Sequence, residues 1–151
     1  MRAKAFFING GAGRVICSIP AFEKYAETHD DFIIVCEGGM NFYKAHPVLH
    51  KYAFDSWHKN LFEDYIKSRD CVTPEPYRQW HYYNQKCNIA QAFDMEINGI
   101  EEPRELPAPS IRLSKTEAIT ALNTIEEIKN VTGKEKVVVF QPFGRGVQVE
   151  Q

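Results

Sequence analysis

Ala5-Phe6-Phe7-Ile8-Asn9-Gly10-Gly11-Ala12-Gly13-Arg14-Val15-Ile16 decides how the rest of the chain is to be read. Ala5–Asn9 is a short, nearly continuous apolar run that ends in glycine, the pattern of a strand buried on both faces inside a parallel sheet. Gly10-Gly11-Ala12-Gly13 then lets the backbone turn sharply. Beyond it, Val15, Ile16, Ile19, Phe22 and Ala26 fall at helical spacing. Pro20 interrupts that pattern, so the helix either starts late, near Pro20, or is kinked there.

Working outward, Phe32–Cys36 is a second apolar run, closed by Glu37-Gly38-Gly39. Strand, helix and strand make one β-α-β unit, which sets the two strands side by side with both carboxyl ends on the same edge. Lys51–Asp55 reads as a third short strand ending in a carboxylate. From Trp57 to Ser68 the residues Trp57, Leu61, Phe62, Tyr65 and Ile66 repeat at helical spacing. Thr73–Gln91 and Ile97–Pro109 read as irregular connections around a short helix at Trp80–Phe93.

Ser114 and Glu117 have capping-box spacing and open a helix that Gly133 ends. Its apolar stripe predicts that Ala118, Leu122 and Ile125 pack on the sheet. Lys136–Phe140 reads as another buried strand, with Val137–Phe140 either in the sheet of Ala5–Asn9 and Phe32–Cys36 or in a second, unfinished one. The glycine-bearing loop Gln141–Gly146 follows. The whole implies an α/β, Rossmann-like three-layer domain with a mostly parallel sheet.

A chain of 151 residues is long enough for one domain with a true core. A net charge of −2 argues against a surface shaped throughout to follow nucleic-acid phosphates, though it is compatible with a local basic patch. The run Ala5–Ile8 is too short for a signal-peptide core or a membrane span, so the expected compartment is the cytoplasm. Cys17, Cys36, Cys71 and Cys87 contain no C-x-x-C pair, and His46, His50, His58 and His81 form no H-E-x-x-H. Reduced thiols are therefore expected, with metal binding a minor option.

Both glycine loops follow buried strands, and ligands of open α/β sheets bind outside the carboxyl ends of the strands. Glycines also simply make tight turns, which is the plainer use of the same residues. The first loop is not the dinucleotide fingerprint, because Ile16 stands where a glycine or alanine would be needed. No Gly-Lys-Ser/Thr follows to make a P-loop. Glu37 stands about where a ribose-binding acid would, and is equally an ordinary turn residue. Arg14 opens a helix, where the dipole disfavours a cation, so it is either balanced by an anion or a surface arginine without a role. Arg145 could grip a phosphate with its guanidinium fork. The aromatic segment Tyr77–Asn84 could stack sugars or bases, or fill a core.

In order of elements the chain resembles the glycosyltransferases of the GT-B architecture, and most closely the N-terminal domain of family nine, the heptosyltransferase-like group, phage-type relatives included. Phe7–Phe22 looks like that family's opening strand, Gly-Asp-Val loop and Thr-Pro-Ala-Leu helix. Pro107–Leu113, the capped helix from Ser114, and Val137–Pro142 look like its linker and the first strand of its second domain. The resemblance implies that residues 1–135 form an acceptor-side domain and that 136–151 begin a donor domain which a further segment or a second chain would complete. It implies a nucleotide-sugar co-substrate and no cofactor, with Gly10, Gly11, Ala12, Gly13 and Arg14 on the acceptor and Gly144, Arg145 and Gly146 on the donor phosphates. Arg14 occupies the place of the family's loop aspartate, so a catalytic base would come from Asp55 or Glu37. The acceptor would be a small molecule or a polymer, and the composition lends no support to nucleic acid in that role. Two other readings stand beside this one: a Rossmann-like binding module without catalysis, and a nucleotide-dependent oxidoreductase, which the incomplete fingerprint disfavours.

Overall fold

The structure is a computed structural model that describes residues 1–142. The chain divides into two compact units, Met1–Arg112 and Leu113–Gln151. The first unit is built on a four-stranded sheet, all parallel, of β1 (Lys4–Ile8), β2 (Phe32–Cys36), β3 (Ala53–Asp55) and β4 (Asp70–Val72), in the order β3-β2-β1-β4. Ala5 pairs with Ile33 and Ile8 with Cys36, so the two apolar runs lie in full register at the centre. This is the α/β architecture expected of the opening stretch.

Because side chains alternate across a strand, the central pair supplies two cores. On one face Phe6, Ile8, Phe32 and Ile34 meet Val15, Ile19, Phe22 and Tyr25 of helix α1 (Ala12–Ala26), with Tyr43 of the short helix α2 (Met40–Lys44) in the same cluster. The rings there pack edge to face, Phe6 on Phe22 at 5.3 Å and Tyr25 on Phe32 at 4.9 Å. On the other face Ala5, Ile33 and Val35 meet Leu61, with Phe7, Phe54, Tyr65 and Ile66 against them. Helices α3 (Trp80–Tyr83) and α4 (Ile89–Asn98) follow β4, and α4 sends Phe93 and Ile97 into the first core. Helical segments thus cover both faces of the sheet, giving three layers.

Several expectations change. Helix α1 runs unbroken from Ala12 with Pro20 inside it, so it does not start late; the ring is buried with the rest of that face. The helix expected over Trp57–Ser68 shrinks to a π-helical turn at Phe62–Ile66, and Trp57 and Phe62 are exposed. The reason is geometric: Leu61, Tyr65 and Ile66 already cover the small second face, and nothing is left for the other two to pack on. Strand β4 is absent from the sequence reading because Asp70 and Cys71 are exposed, only Val72 is partly buried, and the three carry no apolar run. The single helix expected at Trp80–Phe93 is two, separated by a turn in which Gln85 has a positive φ of 59°.

In the second unit α5 (Lys115–Thr132) has the expected cap, Ser114 Oγ accepting from the Glu117 N–H, and the expected end at Gly133. It buries none of its residues, so Ala118, Leu122 and Ile125 are not core positions, and Leu122 is 63% exposed. Residues 136–142 form no strand, and Val138, Val139 and Phe140 are each at least 80% exposed. An apolar β-type run makes a strand only where a neighbouring strand takes its hydrogen bonds.

Candidate functional site

The sheet order reverses beside β1: the chain steps outward from β1 to β2 and β3, then returns to place β4 on the other side of β1. In open α/β sheets such a reversal leaves a crevice at the carboxyl ends of the two strands. At that position here the Asn9–Gly13 turn follows β1 and Thr73-Pro74 follows β4.

The turn needs its first glycine. Gly10 has φ +104°, and a Cβ on it would lie 2.9 Å from Arg14 Cδ, so only glycine lets the Arg14 side chain lie across it. Gly39, in the loop after β2, has φ +68°, and a Cβ there would meet Ala12 Cα and Val15 Cγ2 at 3.0 Å. The β2 loop is therefore pressed against the first turn of α1. Gly11 caps that helix with no side-chain acceptor, and no acidic residue occupies the first turn. The first backbone N–H groups of a helix have no partner within it and carry the positive end of its dipole. Gly11, Ala12 and Gly13 are exposed, and a Cβ on Gly11 or Gly13 would meet nothing within 4 Å. The result is an open helix N-terminus at the crevice.

Arg14 is neither balanced by a carboxylate nor idle on the surface. Its Nη2 donates to Pro74 O at 3.1 Å, and its guanidinium lies 5.4 Å from the centre of the Tyr77 ring and 5.9 Å from that of Phe93. Cation–π attraction to two rings offsets the unfavourable dipole and the buried, unbonded Nε. The side chain thus ties the β1 loop to the segment that follows β4. Pro74, Tyr77 and Phe93 are the partners that sequence reasoning missed; the aromatic density around Tyr77 was the only sign of them.

The two carboxylates singled out from the sequence arrive at the same sheet edge. Glu37 directly follows β2, exposed, beside Gly38, on which a Cβ would come within 3.2 Å of Gly10 O. Asp55 ends β3, half-buried and in register with Cys36. Burial, with the Asp55 carboxylate added, pushes the Cys36 thiol up to about 11, which keeps it protonated and unreactive. Tyr43, deeply buried, shares a hydrogen bond with Ser18, and burial raises its phenol further above its ordinary value. It is structural. Gly144, Arg145 and Gly146 lie outside the described residues.

No family model, curated protein or solved structure matches the chain. Among the described residues no cluster of His, Cys, Asp and Glu could hold a metal ion, and no helix is long and apolar enough to cross a membrane.

Proposed function

We propose that the crevice between β1 and β4 binds the anionic group of a small phosphorylated ligand, and that the first unit is a Rossmann-like binding domain. The observation that carries this is the N-terminus of α1: exposed, capped by a glycine without a side-chain acceptor, free of acidic residues, and set at the point where the sheet order reverses. The cleanest test supplies the helix with its own anion. Gly11 has φ −86° and ψ −175°, which aspartate adopts without strain, and its Cβ would meet nothing. Gly11→Asp should therefore fold, gain about 0.5–1 kcal/mol from capping, and lose the ligand. In amide NMR spectra of the unmodified chain, inorganic phosphate or a sugar phosphate should shift the Gly11–Arg14 signals first. Amides in that turn that stay unmoved at tens of millimolar phosphate would sink the reading.

A second reading, an acceptor-side domain of a glycosyltransferase using a nucleotide-sugar, is favoured by Glu37 and Asp55 lying at the same edge as the turn. One of them would take the proton from an acceptor hydroxyl. Loss of a general base typically costs about 10²–10⁴ in rate. In a preparation that transfers sugar, Asp55→Asn or Glu37→Gln should lower kcat by that order with little change in KM. Equal activity of both variants would remove the carboxylates from the mechanism.

A further inference from the structure

The segment after β4 carries exposed rings, of which only Tyr77 meets Arg14. Tyr77, Trp80 and Tyr83 are exposed by 48, 59 and 79%, although aromatic residues at this density ordinarily fill a core. The reason is local: α3 is a single turn, held by Gln79 Oε1 accepting from the His81 and Tyr82 N–H groups, and one turn cannot direct all its side chains inward. Tyr77 and Tyr83, with Tyr82, Gln85 and Cys87, line a cleft of about 420 Å³; Trp80 is not part of that lining. No charged side chain lines it. Arg78 and Lys86 stand exposed on the same segment, with the Lys86 ammonium 6.0 Å from the Trp80 ring centre. Between Pro76 and Phe93 there is no acidic residue, so this stretch carries two positive charges on a chain whose net charge is −2. Of the flanking carboxylates, Glu102 is 3.3 Å from His81 Nε2, and Glu75 acts on Glu96, whose carboxyl is held above its ordinary value by burial and by that neighbour.

We propose that Tyr77–Lys86 is a stacking platform for a short stretch of single-stranded nucleic acid, the rings taking bases and Arg78 and Lys86 taking phosphates. Exposed rings interleaved with cations are the chemistry by which single strands are held, since every base offers a π-face and every link a negative charge. Trp80 and Tyr83, even without Tyr77, outnumber the one base of a mononucleotide. A neutral saccharide would use the rings and leave the cations without a role. Tyr77 also meets Arg14 of the α1 turn, but Trp80, Tyr83 and Lys86 do not, so variants at those three test the platform separately from the phosphate-binding crevice.

The test is a titration of the whole chain with fluorescein-labelled oligothymidylate and oligouridylate of about a dozen nucleotides at low salt. Binding should quench Trp80 fluorescence, and two phosphate contacts should give a slope of log K against log salt of about −1.4. Trp80→Ala should weaken binding by about five- to a hundredfold. Tyr83→Ala should act in the same direction, and Lys86→Glu should flatten the salt dependence. Trp57→Ala, at the other tryptophan, which is 72% exposed, should leave the affinity unchanged and serves with circular dichroism as the folding control. The proposal is overturned if neither oligonucleotide binds, if Trp80→Ala and Tyr83→Ala both bind as the unmodified chain does, or if thymidine monophosphate or a neutral oligosaccharide binds as tightly as the strand. Inorganic phosphate still shifting the Gly11–Arg14 amides in the Trp80→Ala variant would show that the crevice is intact when the platform is not.

Discussion

Helices α4 and α5 are punctuated in the same way and have opposite fates. Asn88 and Gln91 form a capping box at the start of α4, as Ser114 and Glu117 do at the start of α5, and each helix ends on a glycine with positive φ, Gly99 at 64° and Gly133 at 66°. Yet α4 buries Ala92, Phe93, Asp94, Met95 and Ile97, while α5 buries nothing. Caps specify where a helix begins and stops; they carry no information about what it packs on. Burial in α4 also includes a charge. The Asp94 carboxylate, fully buried, accepts from Arg104 Nε at 2.6 Å and Nη2 at 2.9 Å and from Asn98 Nδ2 at 2.7 Å. Asn98 in turn donates to Ala21 O of α1, which joins the two helices.

The contrast can be broken at several points. The largest effect should come from Phe93→Ala, which empties a fully buried ring site against Arg14 and α1. A loss of about 3–5 kcal/mol is expected in urea unfolding, and a loss below about 1 kcal/mol would mean that α4 is not part of the core. Next comes Arg104→Met, which leaves the Asp94 carboxylate buried with Asn98 as its remaining partner. That should cost about 1–3 kcal/mol by the same measurement, and adding Asp94→Asn should recover part of it.

The caps should then separate the two helices. Asn88→Ala and Ser114→Ala each remove a cap worth about 1 kcal/mol. The first should lower the Tm of the first unit; the second should appear as faster amide exchange in α5 alone. Smallest of all is Leu122→Asp in α5, expected to change stability by no more than about 0.5 kcal/mol because the side chain is already exposed. A loss of several kcal/mol there would show that α5 has a packing partner.

What could be read in the sequence followed the strength of local signals. The runs Ala5–Asn9 and Phe32–Cys36 were legible because a doubly covered strand must be apolar on both faces, and few other structures tolerate that. The glycine turn was legible for a related reason, since it lies between such a strand and a helical repeat. Glu37 and Asp55 could be placed at strand ends, though not at a shared edge. Strand β4 was invisible: Asp70-Cys71-Val72 holds its position by pairing with Lys4, Ala5 and Phe6, a property of β1 rather than of its own residues. The apolar run 136–140 had the opposite error, a strand pattern with no partner strand among the described residues.

Periodicity, glycine and capping residues act over a few neighbouring positions, and they suffice to specify an α/β chain with a parallel βαβ core and a glycine-rich turn into the first helix. Long-range pairing, by contrast, set β4 on the far side of β1 and brought Arg14 to Pro74 and the rings of Tyr77 and Phe93. These rest on contacts between residues about sixty or more positions apart in the chain, such as the 60 that separate Arg14 from Pro74. Local composition does not encode which distant surface a side chain will meet, and burial is settled by that meeting.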